Sequence, residues 1–85
     1  MSKATRIGHK WNLDIFDRDD AFVFARYDVG GHDPRLVVRV YWSGPADTEE
    51  QRQEVEPMLL RMADEEAEWF AERPEDVPVS EWAFT

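Results

Sequence analysis

The sequence predicts an α+β domain: a three-stranded antiparallel meander packed on one long, Pro57-kinked amphipathic helix, followed by a C-terminal extended segment. Three observations lead there. Residues 7–15 alternate strictly, two further β-rich runs follow across turn-like loops, and residues 48–72 place their apolar side chains on about half of a helical circumference. The 85 residues suit one domain spanning 1–85 with a single small core.

In the first strand, about 6–16, Ile7, His9, Trp11, Leu13 and Ile15 point one way and Gly8, Lys10, Asn12 and Asp14 the other. Asp17-Arg18-Asp19-Asp20 reads as a polar turn. The second strand, 21–29, is rich in Phe, Val and Tyr, and the loop Gly30-Gly31-His32-Asp33-Pro34 leads to the third, 35–43. Closing both hairpins on their turns pairs Ile15 with Phe22, Leu13 with Phe24, Trp11 with Arg26 and His9 with Asp28. The second hairpin pairs Phe22 with Trp42, Phe24 with Val40, Arg26 with Val38 and Asp28 with Leu36. These registers put Phe22, Phe24 and Arg26 on the core face, and a one-residue slip would reverse that.

Gly44-Pro45 ends the meander. Thr48 with Gln51 has capping-box spacing, and Glu49 and Glu50 suit the positive end of the helix dipole. Val55, Met58, Leu59, Met62, Ala63, Ala67, Trp69 and Phe70 form the apolar arc. Glu50, Glu54, Arg61, Asp64, Glu65, Glu68 and Glu72 form the opposite one. Pro57 removes a backbone hydrogen bond within the helix, which predicts a kink, or two helical pieces meeting there. Arg73-Pro74 ends the helix, and the tail 74–85 holds Trp82 and Phe84, so it is expected to pack as an extended segment or edge strand.

Composition excludes several chemistries. Without cysteine there is no disulfide, thiolate zinc site or cysteine nucleophile. The sequence shows no glycine-rich phosphate loop, no paired-histidine motif, no serine in a nucleophile setting and no calcium loop, so no catalytic residue, metal or cofactor is expected. The longest purely apolar run, Ala21–Ala25, is far short of the roughly 20 residues of a membrane span. With no secretory segment evident, the expected location is the cytoplasm, or the host cytoplasm if a phage encodes the chain.

Charge is uneven. Seven cations meet six acids through Trp42 (+1), whereas thirteen acids and only Arg52, Arg61 and Arg73 follow (−10). A surface this acidic disfavours direct contact with nucleic acid or membrane and favours a basic protein partner.

Three groups of residues are candidates for a site. The acidic arc Glu50, Glu54, Asp64, Glu65, Glu68 and Glu72 could imitate a phosphate backbone, or simply be solvated. The second sheet face, with Tyr27, Tyr41, Arg35 and Arg39, has the composition of an interface, unless the tail covers it with Trp82 and Phe84. Arg26 and Glu66, both placed on the core side, are expected to form a structural ion pair. Together with His9 and Asp28 they form a polar seam rather than an acid–base site.

The expected function is therefore a small, acidic, non-catalytic binding protein, monomeric or homodimeric. In size and charge it is analogous to phage-encoded stoichiometric inhibitors such as anti-CRISPR proteins, some acting as DNA mimics, that block basic nucleic-acid-binding complexes. The alternatives are a toxin-neutralising immunity or antitoxin protein, and an acidic adaptor from a salt-adapted organism.

Overall fold

The computed structural model describes residues 3–13, 20–30, 35–78 and 81–83. Strands β1 (Thr5–Leu13), β2 (Asp20–Asp28) and β3 (Arg35–Ser43) form the antiparallel meander, and helix α1 (Glu49–Glu72) packs on one side of it. A single 3₁₀ turn, Pro74–Asp76, leads back to a two-residue strand β4 (Trp82–Ala83), so the sheet order is β1-β2-β3-β4. The expected β-β-β-α architecture is present, and the tail adds a short edge strand by pairing Ala83 with Arg35 and Trp82 with Leu36. Residues 14–19, 31–34, 79, 80 and 84, on which parts of the strand, turn and tail readings fell, lie outside the described residues.

The registers differ from those expected. Leu13 pairs with Ala21, Trp11 with Val23 and His9 with Ala25; Ala21 pairs with Trp42, Val23 with Val40 and Ala25 with Val38. The slip is odd-numbered in both hairpins, so β2 is turned over relative to both its neighbours. Ala21, Val23, Ala25 and Tyr27 are its buried face, and Phe22, Phe24 and Arg26 lie on the other side of the sheet.

Side-chain volume explains the reversal. The buried residues of α1 are Val55, Leu59, Ala63 and Ala67, which recur every four positions and form one ridge along the helix. Two of the four are alanine, so the layer between helix and sheet is filled mainly by small side chains, with Tyr27 the one aromatic ring of β2 inside it. Hydrophobicity favours Phe22 and Phe24 inside, but close packing favours Ala21, Val23 and Ala25, and close packing prevails. On β3 the expected face is correct: Leu36, Val38 and Val40 are buried and Trp42 packs against them. A register shift between Arg6 and Gly8 turns Arg6 toward the helix side, opposite Tyr27, and leaves Ile7 half exposed.

Helix α1 begins as the sequence indicates. Thr48 accepts from the backbone N–H of Gln51, and the Gln51 side chain accepts from the backbone N–H of Thr48, each at 3.2 Å. Pro57 sits within one continuous helix, on an exposed position, rather than between two helical pieces.

Two stability measurements test this packing. Ala63→Leu is expected to cost about 1–3 kcal/mol through overpacking, whereas Phe24→Leu, on the far face, costs less in the same urea titration. Pro57→Ala restores a helical N–H donor and is expected to stabilise the fold by up to about 3 kcal/mol.

Candidate functional site

The helix presents two flanks to the sheet, with different chemistry. Toward β1 lies a line of polar closures. Tyr27, only 1% exposed, donates its hydroxyl to Asp64 Oδ1 at 2.6 Å, and Arg6 Nη1 reaches both oxygens of Asp64 at 3.3 Å. One turn further on, the Glu68 carboxylate accepts from the backbone N–H groups of Lys3 and Ala4 at 3.2 Å. One turn before Leu60, Glu56 lies 3.9 Å from His9 Nε2 and 2.9 Å from Arg52 Nε, while the Arg52 guanidinium rests 5.7 Å from the Trp11 ring centre. These residues fasten the first strand to the helix.

The opposite flank is open. Between the outer side of β3 and α1 runs a groove of about 610 Å³, lined by Arg39, Val40 and Tyr41 from the strand and Met62, Glu65, Glu66, Trp69 and Phe70 from the helix. Among the described residues five large hydrophobic side chains are exposed, and three of them meet here: Tyr41 (63%), Met62 (49%) and Trp69 (49%). Their convergence distinguishes the groove from scattered surface residues, which carry no meaning singly. Trp69 is held edge-on to Phe70, with ring centres 5.3 Å apart, and the Arg73 guanidinium caps it at 4.7 Å. A two-residue β4 covers only the Arg35–Leu36 end of β3, so no described strand pairs with the outer edge alongside the groove.

The expected site residues separate accordingly. Of the acidic arc, Asp64 and Glu68 are engaged in the fold, while Glu50, Glu54, Glu65 and Glu72 are exposed. Glu72 makes a loose 3.8 Å pair with Arg73. The arc is therefore not one continuous carboxylate row. Tyr27 does not belong to the second sheet face, because the reversal of β2 carries it into the core. Tyr41 and Arg39 do lie on that face, and Arg35 joins it through a 3.3 Å pair with Asp28.

The expected Arg26–Glu66 bridge is not formed. Arg26 shares the outer face of β2 with Phe22 and Phe24, whereas Glu66 lines the groove on the helix side. His9 is opposite Ala25 rather than Asp28, so the polar seam is not assembled either. Trp82, in register with Leu36, packs against the core rather than over the second sheet face. Sequence reasoning missed Met62 and Trp69 because they counted as core positions. The four-residue spacing of Val55, Leu59, Ala63 and Ala67 is the signal that would have shown them turned outward.

Among the described residues no three metal-binding side chains cluster, and no helix is long and apolar enough to cross a membrane. Two groups have shifted proton affinity. Burial first, and then the hydrogen bond and charge of Asp64, raise the Tyr27 phenol well above its ordinary range. Partial burial, with repulsion from Glu81, raises the Glu66 carboxyl above the usual value for glutamate.

Each shift has a definite sign in stability. The folded state retains the Tyr27 proton when the unfolded chain releases it near pH 10, so this stabilisation is complete below about pH 10 and lost as pH climbs beyond. Denaturant titrations should show that alkaline loss in the native protein and a shallower one in Tyr27→Phe. Ionised Glu66 is a burden, so stability declines as pH rises through the acidic range where the unfolded glutamate ionises first. Glu66→Gln should flatten that decline. No protein-family model, curated protein or solved structure matches the chain.

Proposed function

We propose that this is a small, acidic, non-catalytic binding protein that docks a cationic protein partner along the groove between β3 and α1. In this reading it is a stoichiometric inhibitor that blocks a basic nucleic-acid-binding complex, of the kind phage anti-CRISPR proteins and DNA mimics represent. The observation that carries the proposal is the convergence of Tyr41, Met62 and Trp69, each 49% or more exposed, beside Glu65 and Glu66 in one groove.

Aromatic and methionine anchors suit the desolvated centre of an interface, and the two carboxylates select a basic residue against it. Glu66 has lost part of its hydration already and lies within the influence of Glu81. A partner's lysine or arginine would relieve both costs, so affinity gains where the free protein is least comfortable. The net charge of −9 adds long-range attraction, which raises the association rate and makes it salt-sensitive. The groove replaces the helix arc as the docking surface because Asp64 and Glu68 are committed to the fold.

Immobilised protein, exposed to a lysate of the source organism, should retain a basic protein whose capture weakens with salt. The purified partner should then lose nucleic-acid binding as equimolar protein is added. Trp69→Ala and the pair Glu65→Lys, Glu66→Lys should each reduce capture by roughly tenfold or more, as expected of interface anchors, with the fold intact by circular dichroism. Retention unaffected by these changes, or a partner that is acidic, would refute the groove.

A further inference from the structure

We infer that the outer face of the sheet is a second binding site, and that its ligand is single-stranded nucleic acid. The register lays this face out in three cross-strand rows: Gly8–Arg26–Val37, of which Val37 is buried, Lys10–Phe24–Arg39 and Asn12–Phe22–Tyr41. Every charged residue in these rows is a cation, in a chain whose net charge is −9. Among the described residues, none of the ion pairs uses Lys10, Arg26 or Arg39. The rows on either side each hold an acid: Asp28, paired with Arg35 at 3.3 Å, and Asp20, in register with Ser43.

The aromatic residues are interleaved with those cations. The Phe22 and Tyr41 rings lie 5.2 Å apart at 31°, and the Arg39 guanidinium lies over Phe24 at 5.1 Å. Rings and guanidinium planes set in successive rows, roughly 6.8 Å apart along a strand, are stacking platforms for unpaired bases, with the cations beside them for phosphates. Beside the second row is a pocket of about 310 Å³ lined by Gly8, His9, Lys10, Phe24 and Arg26. It exists partly because Gly8 has no side chain: a Cβ there would meet nothing within 4 Å. Among the described residues this antiparallel face carries no helix to enter a duplex groove, so it suits a single strand better than a double helix. An acidic peptide would satisfy the cations but leave the rings without partners.

The overall acidity does not forbid this ligand. Asp64 and Glu68 close against the β1 side of the helix, Glu65 and Glu66 line the groove beside Arg39 at the rim, and charges are screened over about 8 Å at physiological ionic strength. Net charge describes the whole surface, whereas the three central rows of this face hold Lys10, Arg26 and Arg39 and no acid.

The test uses the full chain and fluorescently labelled oligothymidylate and oligouridylate, read by anisotropy. Binding is expected with a log–log salt slope of about −2, from three phosphate contacts on a single strand. Gly8→Glu fills the pocket with a carboxylate without a steric clash, and it should weaken binding roughly tenfold or more while leaving the thermal midpoint unchanged. Lys10→Glu with Arg26→Glu should do the same, while Trp69→Ala, in the groove, should leave oligonucleotide binding intact. A preference between the two oligonucleotides assigns the strand as DNA or RNA. The inference is overturned if neither binds, if binding persists in Gly8→Glu, or if duplex DNA or polyglutamate binds as tightly.

Discussion

The arrangement of this protein depends on how near the helix lies to the sheet. Ala63 and Ala67 in the buried ridge of α1 face a strand whose inward residues are Ala21, Val23 and Ala25, all completely buried. Small side chains on both surfaces allow close approach, and close approach limits what larger side chains fit between them. From that one constraint follow the orientation of β2, the outward position of Phe22 and Phe24, and the composition of the outer face.

Tyr27 is the exception that secures the arrangement. It is the largest side chain fully buried in the core, and its hydroxyl must find a partner there. Asp64 supplies one, and Arg6, brought to the helix side by the irregularity before Gly8, balances the charge of Asp64. A charge-assisted hydrogen bond is stronger and more directional than a neutral one. It therefore fixes the rotation of α1 about its axis, and that rotation decides which helix residues face outward. Glu56, Asp64 and Glu68 close against β1, while Met62, Glu66 and Phe70 turn toward β3 and leave the groove beside them.

The molecule consequently has two chemically distinct sides. The helix side is acidic and carries an apolar groove. The sheet side carries cations between aromatic rings. Among the described residues the two surfaces share Arg39 and Tyr41 on the rim of β3.

The sequence by itself determined the elements and their order. Alternation over Ile7–Leu13 specifies a strand, Thr48 with Gln51 marks the start of the helix, and Gly44-Pro45 and Arg73-Pro74 mark where elements stop, because each signal acts through bonds within a few residues. The side of β3 that faces the core was legible for a similar reason, since Leu36, Val38, Val40 and Trp42 form an unbroken apolar set, whereas the alternate positions interrupt Val37 and Tyr41 with Arg35 and Arg39. On β2 both faces are apolar, so periodicity leaves the choice open. Only the tertiary structure decided it, through the volume left between two surfaces that are far apart in the chain. The candidate sites were hidden by the same ambiguity: whether Tyr27, Phe24, Met62 or Trp69 is core or surface depends on a helix–sheet distance that no local pattern encodes.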